Sequence, residues 1–568
     1  MPKKPLLFLP FFMLFLSSGV LAQNEPFAKR IVVSGLNSPW EITYGPNDSL
    51  WVTENFSYLV KRIKVSNGAS TTLLNLSTLK NFSLNDGGRW PQGGLMGLAI
   101  HPNLYSSDPA TRAAKPWIYL AYVYDRPTGQ VCSTDANSSN ACNFRSRIVR
   151  YEYQGNTLVN PVIILDNMPG SNDHNSGRLT IGPDLKLYYT IGDMGAGQFN
   201  NASRTNNAQA LDVLEGKSLR LNTESDGDAG LDAWVPDDNP FYNGIPITPR
   251  DYVFTMGHRN AQGIVWGNVA GTDRLYNSEH GDKSDDEVNL LVAGGNYGWN
   301  EVSGSCDGNY NGLTLGGNSG VDENGFCSST PTNQQPIKTL YTVNQATING
   351  LSSNNLTWPT VAPSSIEFYG ANKIPGWQNS LLVSCLKAGK VFRLKLNASG
   401  NGISNYGSGV DTASYFRGEG RFRDLALSPD GLKVYVACDA SGQTSGPSGG
   451  FNGGGTPPPN AGDILEFTYV GIILPVIEPT LMHPASVERI IKLYPNPVTE
   501  SVSISIKSDF QKPYTIQMYN ATGLFIREIK SSKSEIVVSL AELQSGMYFI
   551  QIRNAYDRLL STEKVIKF

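Results

Sequence analysis

The chain is short of net charge: 45 lysines and arginines against 49 aspartates and glutamates leave −4 over 568 residues. No basic face is available to neutralise phosphates, which excludes a nucleic-acid partner. Its six cysteines include no Cys-x-x-Cys pair, so nothing supports a thiolate-ligated zinc or iron–sulfur site. Beyond the N-terminus no segment is apolar enough to cross a bilayer. Long amphipathic helical patterns are missing too, which leaves β structure as the expected class. What is abundant is turn chemistry, with 58 glycines and 34 prolines, on a 40% hydrophobic background that can supply a core.

The N-terminus reads MPKKPLLFLPFFMLFLSSGVLA, a basic start, an apolar run and small residues before Gln23. That is the layout of a secretory signal over residues 1–22. No cysteine stands at the cleavage point, which argues against a lipoprotein anchor. In an exported chain an even cysteine count permits disulfides. Cys132/Cys142 and Cys306/Cys327 read as local loop staples, while Cys385 and Cys438 each end a strand-like run and form the remaining pair.

One pattern recurs: an apolar run, a turn of Pro, Gly, Asn or Asp, then a β-branched and aromatic run. It appears as WEITYGPNDSLWVTE (40–54), GLAIHPNL with WIYLAYV (97–123), RLTIGPDLKLYYTIGD (178–193), GIVWGNVAGTDRLYNSEHG (263–281), SIEFYGANKIPGWQNSLLVSC (365–385) and DLALSPDGLKVYVAC (424–438). Each is a strand–turn–strand signal. Six such units predict an all-β, six-bladed β-propeller over residues 23–470 rather than a pair of β-sandwiches. Equivalent points recur about every 77 residues, above the ~40–50 of compact propeller repeats, so long loops should project from the ring. Residues 441–463 are low in complexity and are expected to be a flexible loop; DILEFTYV then supplies a further strand. A Pro-punctuated linker (471–490) leads to a second module, 491–568, whose alternating strands predict a small β-sandwich with a basic end.

His174 and Asp193 flank one predicted hairpin, where the start of the first strand and the end of the second lie side by side. A carboxylate there would fix the imidazole's tautomer and raise its basicity; a structural histidine capping a loop is the equal alternative. Arg259 and Asn260 precede another blade strand, Arg421 and Arg423 share a face if extended, and Lys387 follows a third strand. Together they would line an anionic pocket, arginine being suited to bidentate carboxylate binding. EHGDKSDDEVNLL (279–291) is acidic and loop-like but lacks EF-hand spacing.

QGGLMGLAIHP, DHNSGRLTIGPDLKLYYTIGD, FTMGHRNAQG, SDDEVNLLVAGGNYGW, WPTVAPSS and RFRDLALSPDG, in this order, resemble the soluble quinoprotein glucose dehydrogenases, which use pyrroloquinoline quinone (PQQ). The resemblance covers most of residues 30–470 and implies a six-bladed propeller. It implies that His174 is the base for the sugar's C1 hydroxyl while hydride passes to the quinone, that Asp193 orients it, and that Arg259 stabilises the developing charge. A Ca²⁺ on the backbone carbonyls of Gly281 and Asp282 would bind PQQ. Lys387, Arg421 and Arg423 would neutralise the cofactor's carboxylates, with Gln92, Asp173 and Asn260 completing its pocket. Gln198, Phe199 and Trp358 would meet the sugar. A second Ca²⁺ would involve Glu287 and the Tyr297 carbonyl, with Ser303, Ser305 and Asp307 nearby. The chain departs from the family's best-known member at Asp282 (Pro there), Met194 (Gln), Phe199 (Leu) and Asn355 (Tyr), which bears on the sugar more than on the reaction.

The C-terminal module, through LYPNPV, NATG, LQSGMYFIQI and its basic end, resembles the type IX secretion sorting domains of Bacteroidota; a carbohydrate-binding module would need an aromatic platform its strands lack. The implied protein is secreted or held at the cell surface. It would oxidise an aldose to the lactone and pass electrons to an external quinone or cytochrome, and the sequence allows a homodimer. A Ca²⁺ lactonase-type propeller would instead need side-chain carboxylates converging on the metal, and a non-catalytic carbohydrate-binding propeller would have no use for His174, Asp193 and Arg259 together.

Overall fold

In the computed structural model the described residues are 20–21, 25–82, 90–127, 143–406, 410–447, 450–453, 456–471, 491–506, 512–520, 525–555 and 559–568. The proposed signal (apart from 20–21), Cys132, Cys142, nearly all of the 471–490 linker and most of the NATG turn lie outside them. The chain divides into two compact units, one holding residues 30–371 and 377–466, the other residues 24–29, 372–376 and 467–568.

All six hairpins expected from turn chemistry form, their strands in the larger unit. Each opens a sheet whose first three strands follow chain order. The leading strands are Pro39–Gly45, Leu95–Ile100, Leu179–Ile181, Ala261–Val269, Pro363–Tyr369 and Phe422–Leu427. They pack on one another in sequence, and the sixth packs back on the first. The sixth sheet is completed by Phe27–Val33 beside Ile464–Tyr469, where Arg30 forks onto Glu466 at 2.6 and 2.9 Å. Apolar clusters fill the space between neighbouring sheets, one joining Trp51 to Leu98 and Tyr122, another Ile42 to Ala426 and Tyr435. Five leading strands carry a bulge at their first residues. Bulges of this kind re-aim side chains beside active sites.

A cavity of about 290 Å³ is lined by all six leading strands. Arg178 pins it: its guanidinium meets Glu41 at 2.5 Å and Asp424 at 3.0 Å, and donates to the carbonyls of Gln262 and Ser364, both at 2.9 Å. One buried cation therefore ties five sheets together, since unpaired buried charge is costly.

Two sequence expectations need correction. Cys306 and Cys327 are joined by a disulfide, but Cys385 and Cys438 are buried and not in a disulfide, because each ends the second strand of its own sheet. The stretch 441–463, expected to be flexible, is organised in its described residues: Thr444 Oγ1 donates to Asn452 Oδ1 at 2.7 Å, and Ser445 N donates to Lys387 O at 2.7 Å. Short polar side chains bonding to nearby backbone give such a loop shape without apolar burial.

The smaller unit holds two sheets. Ile491–Tyr494, Ser501–Ile506 and Glu535–Ser539 form one, and Phe525–Ser531, Tyr514–Asn520, Gly546–Arg553 and Leu559–Lys567 the other. Val502, Ile504 and Ile506 point inward on alternate residues and share one apolar core with Ile516, Met518 and Ile550.

Candidate active site

Residues 171–177 make a tight irregular turn before the third sheet, with His174 and Ser176 held at φ +51° and +54°. The turn brings His174 over the end of the hairpin's second strand. A Cβ at Gly192 would lie 2.0 Å from the His174 carbonyl, so only glycine permits the approach. His174 Nδ1 then sits 2.8 Å from Asp193 Oδ1, with His174 5% and Asp193 0% exposed. The Asp193 carboxylate also accepts from Gly195 N and Trp299 Nε1, both at 2.8 Å, and from Asn206 Nδ2 at 3.2 Å. A carboxylate this well supplied holds the Nδ1–H tautomer and leaves Nε2 to face outward as the acceptor.

His174 opens onto a cavity of about 330 Å³ that Gln92, Asp173, Arg259, Gly281, Asp282 and Lys387 also line. Arg421 and Gln443 close it on the side of the sixth sheet; Phe199 and Trp358 line it too, their rings near-parallel at 6.1 Å. Gln92 Nε2 donates to Asp173 Oδ1 at 3.1 Å, and its own Oε1 accepts from Asn175 N at 3.1 Å.

Arg259, Lys387 and Arg421 face a common space, and their burial has consequences. Desolvation lowers the Lys387 ammonium to about 8 and lowers Arg421 as well. Among the described residues, buried nitrogens around this space have no hydrogen-bond partner: Arg259 Nε, Gln198 Nε2, Asn260 Nδ2, His280 Nε2 and Arg421 Nε. Arg421 Nε has only an ion-pair contact to Asp439 at 3.4 Å. Buried polar nitrogens without partners are rare, and a flat polycarboxylate in the cavity would meet those of Arg259, His280 and Arg421, which line it. The donor set fits PQQ.

Several expected residues have other neighbours here. Arg423 does not line the cavity; it donates to Asp439 Oδ2 at 2.9 Å and to Gln262 Oε1 at 3.0 Å. Asn260 also lies behind the lining and accepts from Ser176 N and Oγ, both at 3.2 Å. Gln198 is bonded to Arg259 Nη2 at 2.6 Å rather than opening onto the cavity. Lys387 Nζ donates to the Asn355 and Trp358 carbonyls at 2.6 and 2.7 Å and to Thr360 Oγ1 at 2.8 Å, so it anchors the loop that carries Trp358.

For Ca²⁺, Gly281 and Asp282 border the cavity, and the chain turns so tightly that a Cβ at Gly281 would meet Ser284 O at 2.1 Å and Asp285 O at 2.5 Å. An oxygen-rich turn of this kind suits a hard cation. At the second expected site Glu287 is buried, accepting from Gly304 N at 2.7 Å and Asn289 Nδ2 at 3.0 Å. Burial and the facing Glu279 hold its carboxyl well above the usual range. Ser303 and Tyr297 are buried, Ser305 is half-buried and Asp307 exposed. A carboxylate not foreseen, Glu323, accepts from Ser303 N at 3.2 Å and Tyr310 N at 3.1 Å, and burial raises it to about 7. Among the described residues the three-membered acidic cluster is Asp228, Asp232 and Asp237, outside this cavity.

A buried imidazole–carboxylate pair, set beside an arginine and an anion-receptive cavity, is the equipment of an enzyme that removes a proton next to an anionic group. The chain belongs to the glucose/sorbosone dehydrogenase family, which it matches over residues 36–445, and is a sugar dehydrogenase of that family. It is 35% identical over 486 residues, 79% of this chain and 92% of the relative, to quinoprotein glucose dehydrogenase B of Acinetobacter calcoaceticus. To the aldose sugar dehydrogenase YliI of Escherichia coli it is 24% identical over 436 residues, 75% of this chain and 94% of that one. The solved soluble aldose sugar dehydrogenase of Escherichia coli in its apo form shares the fold, with a TM-score of 0.51 at 20% identity, covering 78% of this chain and all of that one. Residues 492–567 match the secretion system C-terminal sorting domain.

Proposed function

We propose that this chain is an exported PQQ- and Ca²⁺-dependent aldose dehydrogenase that oxidises the C1 hydroxyl of a glucose-like sugar to the lactone and hands the electrons to an external acceptor. The observation that carries this reading is the buried His174–Asp193 pair opening onto the same cavity as Arg259, Lys387 and Arg421. The six sheets are read as six propeller blades spanning residues 23–470, after a signal over 1–22. A linker (471–490) leads to a β-sandwich sorting domain (491–568) for type IX secretion, as the match over residues 492–567 supports.

PQQ, when bound, would supply a hydride-accepting quinone, and Ca²⁺ on the Gly281 and Asp282 carbonyls a Lewis acid beside it. His174 Nε2 takes the C1 hydroxyl proton, which frees C1 to release its hydride. Asp193 holds the resulting imidazolium in place through Nδ1. Arg259, kept in position by Gln198, faces the charge that develops opposite His174. Lys387 and Arg421 neutralise carboxylates, with Gln92, Asp173 and Asn260 shaping the pocket and Arg423 supporting Arg421 through their shared partner Asp439. Phe199 and Trp358 offer apolar faces to the sugar. Glu287, the Tyr297 carbonyl, Ser303, Ser305 and Asp307 are read as the surroundings of a second, structural Ca²⁺. A lactonase would need the acidic side chains at the cavity, Asp173, Asp282 and Asp286, to converge on one metal, and among the described residues the cluster whose carboxylates do converge, Asp228, Asp232 and Asp237, lies outside it.

Metal-stripped protein supplied with PQQ and Ca²⁺ is expected to reduce an electron-acceptor dye when given aldoses. Silence across a sugar panel, or full activity in His174→Ala, overturns the reading.

A further inference from the structure

Asp193 and Arg259 belong to different sheets, yet one side chain touches both. Trp299, in GGNYGWN after the fourth sheet's third strand, is 3% exposed. Its backbone is fixed at both ends: N–H donates to Gly257 O at 3.0 Å, and the carbonyl accepts from Gln209 Nε2 at 2.6 Å. The indole is held by the small hairpin Thr314–Leu315/Asn318–Ser319, since a Cβ at Gly316 would come 2.8 Å from Trp299 Cζ2. Asn300 Nδ2 reaches Leu315 O and Gly316 O at 3.4 and 3.3 Å, tying the hairpin to the next residue.

From this clamp the indole edge donates Nε1–H to Asp193 Oδ2 at 2.8 Å, while Oδ1 holds His174 Nδ1. The indole face lies 5.3 Å from the Arg259 guanidinium carbon, within cation–π range. An indole alone among side chains offers a strong N–H donor in its plane and an electron-rich face perpendicular to it. We propose that Trp299 is a positioning residue: its edge orients the carboxylate that orients His174, and its face steadies Arg259 opposite. The inference rests on the roles proposed above for His174 and Arg259.

Trp299→Phe keeps the face and deletes the donor; Trp299→Leu deletes both. Protein labelled with ¹⁵N at its five histidines, without cofactor, reports the His174 tautomer directly, the resonance being assigned by His174→Gln. The expected result has three parts. Trp299→Phe shifts the His174 Nδ1 and Nε2 resonances toward a mixed tautomer and lowers kcat about tenfold. Its KM and PQQ affinity stay within twofold, and its thermal midpoint is near wild type. Trp299→Leu loses a further severalfold in kcat, and Arg259→Lys removes that additional loss. Unchanged His174 resonances and kcat in Trp299→Phe overturn the proposal. So does a kcat loss that simply follows lost thermal stability, as a packing role would give. Should Trp299→Leu not fold, Trp299→Phe decides alone. If wild-type protein oxidises no sugar but the His174 resonances still move in Trp299→Phe, the sugar reading fails and the positioning role toward Asp193 stands.

Discussion

The backbone N–H of Asp193 donates to the carbonyl of Arg259 at 2.8 Å. Asp193, proposed to orient His174, and Arg259, which lines the same cavity as His174, are thus joined by main chain, not only by side chains. Main-chain attachment places catalytic groups more rigidly than long side chains can, and the predictions below depend on that rigidity.

Removing the base should abolish turnover with little effect on structure. His174→Ala is expected to lower kcat by about 10²–10⁴, and Asp193→Asn to lower it substantially while leaving the thermal midpoint within a few degrees. Dye-reduction kinetics alongside thermal melts check both.

Anion binding should weaken in alkali. Burial brings the Lys387 ammonium down to about 8, so its charge is present below that pH and disappears as pH rises through it. PQQ affinity, measured by equilibrium titration, is expected to fall through pH 8. Lys387→Met should bind weakly at every pH and lose that step.

Stability should depend on Glu367 in the cavity lined by the six leading strands. Burial, then the charge of Asp424, pushes its carboxyl from 4.5 up to about 8. A raised carboxyl binds its proton more tightly folded than unfolded, so its contribution is present below about pH 4.5 and is lost as pH rises toward 8. Glu367→Gln is expected to melt a few degrees above wild type at pH 8 and much closer to it at pH 5, by calorimetry.

The approach at Gly192 tolerates no side chain. Gly192→Ala should cost about 2–4 kcal/mol by denaturant titration, because the nearest atom is the His174 backbone carbonyl. It should also lower kcat by displacing the imidazole.

Much of this was legible in the linear chain. Turn residues at the right offsets marked all six hairpins, because a reversal such as Gly-Pro-Asp at 182–184 needs local chemistry alone. The pairing of His174 with Asp193 followed from hairpin geometry. Arg423 was less legible: an arginine two residues from Arg421 invites the same role, but Asp439, at the end of the neighbouring strand, takes its guanidinium. Gln198 likewise reads as a sugar contact until Arg259 is seen to occupy its oxygen.

The sequence by itself determined the class of strands and the hairpins, because those depend on periods and turns a few residues long. Tertiary structure decided what surrounds His174. Trp299 reaches Asp193 across 106 residues, and nothing in its local stretch distinguishes a residue touching both Asp193 and Arg259 from a core tryptophan. That distinction exists only once separate sheets bring their ends together, where one buried carboxylate must find every donor it needs.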